Sequence, residues 1–332
     1  MDLRLVIQKH WGVFPTQIQA IHEGLINQTW LVRCANADFI LQQINTQVFK
    51  EPKVLQQQLM VLSDQIELPQ LVPLTYVWTN ELSTLIQQDG MTFRLLRAIT
   101  PSVTLTKVSI DNAKLAANAL QEFHLALSGL DLGNWIAPIE HFLDVSYRIV
   151  QFEKALQTAQ VSRLSLAQKQ IALLHEKRQN LLAWRDLLEK EPKVLIHADP
   201  KLSNFLFHPN GKQVRALIDW DTIQLGSPYY DYADMIRSFC SFGEETPSTD
   251  QLFRADVFEV LLSAFDVDKD KLCAAAQGVV LVQAMRFLTD YLQNDCYYKV
   301  NDDLHNLRRT DNQLRLASEL KDYWLTTRKQ GL

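Results

Sequence analysis

The chain has 332 residues, enough for two domains or one large two-lobed one, and its 47% hydrophobic and 21% charged content is that of an ordinary globular protein. A net charge of -5 gives no footing to nucleic acid or an anionic membrane as partner. Four scattered cysteines (Cys34, Cys240, Cys273, Cys296) lack zinc spacing and fit reduced thiols in a cytoplasmic protein. The opening MDLRLVIQKHWGVF shows no signal-peptide core, and the apolar run 278–285 is too short to span a bilayer.

In chain order, the first roughly 20 residues read as a short amphipathic helix ending near Pro15. A turn at 23–28 feeds a strand to Val32, and a second strand follows at 38–44. Pro52 starts a helix at its first turn, running to about Gln65. Strands fit 75–78, 82–86 and 92–97. After Pro101 the texture becomes helical. Asp111 is placed to cap a helix ending near Ser128, with Leu115, Ala119, Leu120, Phe123 and Leu127 at helical spacing. Further helices are expected at 140–160, 165–190, 231–242, 251–265, 269–294 and 311–328. The reading is an α+β chain with a β-rich N-lobe at 1–100 and a mostly helical C-lobe at 101–332.

The stretch 194–237 carries the chemistry. Three apolar residues, Val194 to Ile196, deliver His197-Ala198-Asp199, and Asn204 comes five residues later. A second apolar run, Ala216 to Ile218, delivers Asp219. A loop aspartate, an asparagine five on and an aspartate after the next strand form the skeleton of a phosphoryl-transfer site. Asn210-Gly211 marks a hairpin turn. A symmetric hairpin centred there sets Asn204 opposite Leu217. Asn204 and Asp219 then share one face, about 7–8 Å apart at the backbone. Oxygen ligands so placed suit Mg²⁺. Asp221, two residues on, shares Asp219's face in an extended chain and is placed either for a second Mg²⁺ or for solvent.

Five segments together resemble the aminoglycoside phosphotransferase and choline kinase superfamily, a branch of the two-lobed protein-kinase-like fold. They are GLINQTWLV (24–32), FILQQINTQVFKEP (39–52), HADPKLSN (197–204), IDWDT with YDYADMIR (218–222, 230–237), and RFLTDYLQNDCYYKV with HNLRR (286–309). Within the superfamily the chain is most similar to bacterial N-acetylhexosamine 1-kinases. The resemblance implies an ATP- and Mg²⁺-dependent small-molecule kinase whose partners are a nucleotide and a small acceptor, most simply the anomeric hydroxyl of an amino sugar. The alternatives it leaves are an aminoglycoside, choline or homoserine kinase, or a kinase-like binding module without turnover.

The same resemblance assigns roles. Asp199 orients or deprotonates the acceptor hydroxyl, and Lys201 neutralises the phosphoryl group in transfer. Asn204 and Asp219 hold the metal. Asp231 braces the catalytic loop, as does His197, and Arg237 either braces it too or reaches substrate. Asn27, Thr29 and Gln42 face the nucleotide. Arg286 and Tyr297 line the acceptor pocket, although Arg286 can equally pair with Asp290 one turn on. The glycine-rich loop is reduced to Gly24, and Leu25 stands where sugar kinases of this group carry a histidine. The kinase lysine is replaced by Gln42 and its helical glutamate by Gln57. A neutral Gln–Gln pair predicts weak nucleotide binding, in the high micromolar to millimolar range, with Lys50 or Arg33 as candidate replacements for the missing charge.

Overall fold

The computed structural model describes residues 1–21, 26–130, 133, 135–242 and 252–329. Two compact units emerge, neither continuous in sequence. The first holds Met1–Leu105, Ala119–Glu140 and Ser203–Gln224; the second holds Thr106–Asn118, His141–Leu202 and Leu225–Leu332.

In the first unit α1 (Leu3–Trp11) begins where the Asp2 side chain accepts from the Arg4 amide at 2.9 Å. It ends at Gly12, whose φ of 63° is the left-handed C-cap conformation that glycine adopts without strain. The helix therefore stops short of Pro15. The Thr16 amide bonds the Arg33 carbonyl instead, opening β1 (Gln17–Ile21), a strand that the sequence had folded into the first helix. Then come β2 (Gln28–Arg33), β3 (Phe39–Ile44), α2 (Pro52–Gln65), β4 (Ile86–Gln88) and β5 (Met91–Arg97). They form an antiparallel sheet in the order β1-β2-β3-β5-β4. The strand expected at 75–78 reduces to one bridge, Tyr76 to Leu96, and the one at 82–86 is displaced to β4.

Strand alternation sorts this sheet into two faces. Val32, Phe39, Leu41, Phe93 and Leu95 form a core with Ile7 and Trp11 of α1. Residues between them point the other way. Among these, Thr29 pairs with Gln42 and Gln42 pairs with Arg94, a polar row across three strands.

The chain continues through β6 (Val103–Thr104) to α3 (Ile110–Ser128). The cap of α3 is Ser109, not Asp111. Asn112 Oδ1 accepts from the Ser109 amide at 2.8 Å, and Ser109 Oγ accepts from the Asn112 amide at 3.2 Å. Four helices follow: α4 (Val145–Thr158), α5 (Val161–Leu166), α6 (Gln168–Glu176) and α7 (Arg178–Lys190). Next are β7 (Val194–Ile196), β8 (Phe205–Phe207), β9 (Val214–Leu217) and β10 (Gln224–Gly226). The described residues close with α8 (Pro228–Phe239), α9 (Ala255–Ala264), α10 (Lys269–Leu292) and α11 (His305–Lys329).

The β8–β9 hairpin, in the first unit, departs from the symmetric register. Phe207 faces Val214 as expected, but Leu206 faces Ala216 and Phe205 faces Leu217. Arg215 is the extra residue of a β-bulge, and its carbonyl accepts the Val72 amide at 2.7 Å. The slip places Phe205, not Asn204, opposite Leu217.

In the second unit α10 is the central helix, packed against α4, α7, α8 and α11. It is long and apolar enough to cross a membrane by length and composition, but 72% of that apolar window is buried inside the protein. Gly278 lets α7 come close: a Cβ there would overlap Cβ and Cγ of Trp184, which is 2% exposed. Gly278→Ala is expected to cost about 1–3 kcal/mol through overpacking, read as a lowered urea midpoint. A neutral or stabilising effect would show that the two helices can separate freely.

Candidate active site

The catalytic loop belongs to the second unit up to Leu202. It follows β7, and its backbone is held by one carboxylate. Asp231, fully buried in the first turn of α8, accepts from the His197 amide through Oδ2 and from the Ala198 amide through Oδ1, each at 2.7 Å. This double bond holds Ala198 at φ 66°, a left-handed conformation that a residue with a Cβ reaches only at a cost of about 1–2 kcal/mol. His197, also fully buried, accepts the Asp199 amide at Nδ1 at 3.3 Å. His197 and Asp231 thus shape the loop and leave Asp199 to face outward. Asp231→Ala is expected to destabilise by about 1–3 kcal/mol for each of the two orphaned amides, with turnover lost in parallel. Unchanged thermal unfolding would remove the bracing role.

Asp199 is partly exposed and accepts from Lys201 Nζ at 2.6 Å. The Lys201 amide bonds back to the Asp199 carbonyl at 2.9 Å, a tight turn that fixes the ammonium beside the carboxylate. The pair sets a general-base-type carboxylate and a positive charge side by side.

In the first unit, Asn204 ends a 3-10 turn at Leu202–Asn204 and is 4% exposed. Its carbonyl accepts the Ile218 amide at 2.8 Å, which brings it next to Asp219. Asp219 does not continue the strand. Its φ of 66° turns the chain into a second 3-10 turn at Trp220–Thr222. The shared-face argument for Asn204 and Asp219 therefore fails, because both residues lie in turns beyond the strand ends. The proximity comes from the Ile218 bond instead.

A buried cation, Arg94, stands beside Gln42. It projects from β5 and is 3% exposed. Gln42 Oε1 accepts from its Nε at 2.9 Å and Nη2 at 2.7 Å, and Gln56 Oε1 from Nη1 at 3.5 Å. Asp221 Oδ2 accepts from Nη2 at 2.7 Å, closing a buried ion pair. Burial alone would depress the guanidinium, but Asp221, and more distantly Asp219, raise it above its ordinary value. The helical partner is Gln56, buried at 3%, while Gln57 is exposed on the far side of α2. Lys50 pairs with Glu140 and Arg33 with Asp38, both at the surface, so neither supplies the charge. The expected Gln42–Gln57 pair is thereby replaced by a centre in which Gln42, Gln56 and Asp221 surround Arg94.

Asn27 is bound into this centre. Its Nδ2 donates to Asp221 Oδ2 at 2.7 Å, and its Oδ1 accepts the Asn45 amide at 2.9 Å. The side chain expected to meet phosphate thus fastens Asp221. Gln42 Nε2 makes no hydrogen bond among the described residues and remains a donor. Thr29 stands beside it in the row. Gly24 and Leu25 lie outside the described residues.

The donor set fits a hard divalent cation. No group of three or more His, Cys, Asp or Glu gathers at metal-binding distance among the described residues. The candidate oxygens are the Asn204 amide, the Asp219 carboxylate and Asp221 Oδ1, the last of which is buried without a hydrogen-bond partner among the described residues. Asp221 is therefore divided: one oxygen serves Arg94 and Asn27, the other is free. Few protein oxygens, with phosphate and water completing the shell, is the habit of Mg²⁺.

The second unit also gathers a polar cluster. Tyr230 on α8 is shifted well above the usual phenol range by burial, with Asp234, Arg286, Arg237 and Asp199 as its charged neighbours. Asp234 accepts from Arg237 Nε at 2.6 Å, so Arg237 serves Asp234 here. Burial still pushes the Asp234 carboxyl up, and the neighbouring Asp199 charge adds to this. Arg286, on α10, does not pair with Asp290. That carboxylate accepts from the Tyr297 amide at 2.8 Å, the Tyr298 amide at 3.0 Å and Asn306 Nδ2 at 2.8 Å. Arg286 lies over Phe142 and Tyr298 instead, at 5.5 and 5.8 Å from the ring centroids. Tyr297 is 54% exposed, with its ring edge-on to Tyr298.

Residues 17–260 match the model of the phosphotransferase enzyme family, APH. The chain belongs to that family. Spectinomycin phosphotransferase APH(9)-Ia, solved with ADP and spectinomycin, superposes with a TM-score of 0.63 at 12% identity, covering 96% of this chain and 97% of that one. A microcompartment-associated aminopropanol kinase gives 0.64 at 16% identity over 97% and 98%. Aminoglycoside phosphotransferase APH(4)-Ia with AMP-PNP and hygromycin B gives 0.58 at 15% over 96% and 99%. At such identities these likenesses establish the α+β kinase-like fold. Acyl-CoA dehydrogenase family member 10 of Mus musculus is 37% identical over 57 residues, 17% of this chain but only 5% of that protein.

As a family member the protein is a phosphotransferase. Sequence reasoning missed Arg94 because the search for the cation followed the kinase pattern on β3. A signal was present: a lone arginine inside the strand MTFRLLR, at a position that alternation turns inward.

Proposed function

We propose that this phosphotransferase moves the γ-phosphoryl group of ATP to a hydroxyl of a sugar-like acceptor, the anomeric hydroxyl of an N-acetylhexosamine-type amino sugar being the leading case. The observation that carries the reading is the Asp199–Lys201 pair at the tip of a loop braced by Asp231. The acceptor oxygen forms a bond to the γ-phosphorus as the bond to the bridging β–γ oxygen breaks. ADP leaves with that oxygen, and the hydroxyl proton passes to the Asp199 carboxylate. Lys201 offsets charge on the moving phosphoryl oxygens. Arg94, in the first unit, would supply a fixed positive charge for the nucleotide, with Gln42 Nε2 as a phosphate donor. Asn204, Asp219 and Asp221 Oδ1 would hold Mg²⁺, which when bound neutralises and orients the β- and γ-phosphates.

The sugar assignment is supported by Tyr230, Tyr297 and Tyr298 beside Arg286: aromatic faces stack on ring carbons while guanidinium and phenol groups bond hydroxyls. A polycationic acceptor would need an acidic groove, and Arg286 and Arg237 oppose one. The competing reading is a kinase-like module that binds without turnover. ADP release is the measurement that decides, with ATP and Mg²⁺ over free sugars, amino sugars, amino alcohols and aminoglycosides. Turnover of sugars is expected. Activity confined to the last two classes would overturn the sugar reading, and no ADP release on any class would favour the binding module.

A further inference from the structure

Arg148 and Arg286 of the second unit have no counter-ion among the described residues. Arg148 on α4 donates through Nη1 to Gln151 Oε1 at 3.1 Å and lies over the Tyr147 ring at 5.5 Å. Its Nε is buried without a hydrogen-bond partner among the described residues. Arg286 on the facing helix α10 donates only to Gln283 Oε1, at 3.1 Å. Neither has a carboxylate within ion-pairing distance among the described residues. Three other part-buried arginines of this unit give the contrast: Arg163 meets Asp295, Arg237 meets Asp234, and Arg254 meets Asp256, each at 2.6 Å. The one carboxylate on α10 in helical reach of Arg286, Asp290, is occupied by the Tyr297 and Tyr298 amides and by Asn306.

Such an arrangement is costly as it stands. A guanidinium withdrawn from water without a counter-charge is destabilised, and a second one nearby adds repulsion. At Arg148 burial first, and then the charge of Arg286, lower the affinity for its proton, whereas at Arg286 the neighbouring Tyr298, Tyr297 and Tyr230 outweigh burial and raise it. The flanking groups, Phe142, Tyr147, Tyr230 and Tyr298, are aromatic rings and not carboxylates. Two forks of N–H donors in an aromatic wall are the complement of an anion with paired oxygens.

Resting on the phosphotransferase reading of the Asp199 site, we infer that Arg148 and Arg286 form an anion subsite of the acceptor pocket and that the acceptor carries a carboxylate or phosphate group besides its reacting hydroxyl. Tyr230 links the subsite to the chemistry, because it neighbours Arg286 and Arg148 as well as Asp199. The inference narrows the sugar reading to an acidic derivative of that class, a sugar acid or sugar phosphate, bound in preference to its neutral counterpart.

The test uses the full chain with four probes: N-acetylglucosamine, glucosamine, glucuronic acid and N-acetylglucosamine 6-phosphate. ADP release gives kcat/KM, and calorimetry without nucleotide gives acceptor affinity. An acidic probe is expected to exceed its neutral counterpart at least ~10-fold, and the carboxylate and phosphate arms identify the group. Arg148→Gln and Arg286→Gln should each weaken acidic-probe binding by ~10-fold or more, beyond any effect on N-acetylglucosamine. Both variants should leave the ligand-free melting temperature unchanged or raised, since each removes an uncompensated charge. Equal losses on neutral and acidic probes, a nucleotide KM that rises while acceptor affinity holds, or no binding of either acidic probe would overturn the subsite. Acid binding without ADP release would instead overturn the phosphotransfer reading and leave the anion subsite standing.

Discussion

Arg94→Ala is expected to destabilise the protein by about 3–5 kcal/mol, the usual result of removing one partner from a buried ion pair. The size follows from the surroundings. Asp221 is 1% exposed and Arg94 3%, so the stranded carboxylate cannot recover its hydration. Gln42 Oε1 and Asn27 Nδ2 would also lose the geometry that Arg94 and Asp221 impose on them. Chemical denaturation of Arg94→Ala against the native chain measures this. The companion is the double variant Arg94→Met with Asp221→Leu. Removing both charges with similar volume is expected to restore most of the stability, because a buried pair contributes little net energy over an apolar one. Nucleotide turnover should not return with it. A double variant that is folded and fully active would show the pair to be structural only. Arg94→Lys separates charge from shape: it keeps the positive charge but cannot serve Gln42, Gln56 and Asp221 from one planar fork. A partial loss of stability and an increased nucleotide KM are expected.

Asp199→Asn is expected to reduce turnover by about 10²–10⁴-fold, the range for losing a positioned general base. Its stability should change little, because the Asp199 side chain is 23% exposed and its Lys201 partner 26% exposed, so an exposed-type pair is lost. The loop keeps its shape through Asp231, which does not depend on Asp199. This combination of large kinetic and small thermal effects distinguishes Asp199 from Asp231, where stability and turnover are expected to fall together. Turnover by Asp199→Asn close to the native rate, on an acceptor the native protein uses, would refute the assignment.

The sequence and the structure divide the site in an instructive way. His197, Asp199 and Lys201 are legible because their geometry is local: a short strand ends, and the residues that follow have few conformations open to them. The Asn204–Asp219 relationship was legible as spacing but not as geometry. One inserted residue, Arg215, shifts the hairpin register by one, and what anchors the bulge is Val72, more than a hundred positions away in the chain. Asp221 was readable as an oxygen ligand. Its commitment to Arg94 was not, since the two residues are 127 positions apart. Asp290 looked like the helical partner of Arg286, and the turn after α10 claimed it instead.

The sequence by itself determined the class of reaction and the fold that performs it, because the motif residues lie within a few positions of one another and their order is read directly. Only the tertiary structure decided which cation is buried beside Gln42 and which arginines lack a counter-ion among the described residues. The first depends on β3 pairing with β5, which sets Arg94 against Gln42 across 52 positions of sequence. The second depends on where every carboxylate of the second unit has been spent. A charge is visible in a sequence, but whether it is neutralised is a property of space.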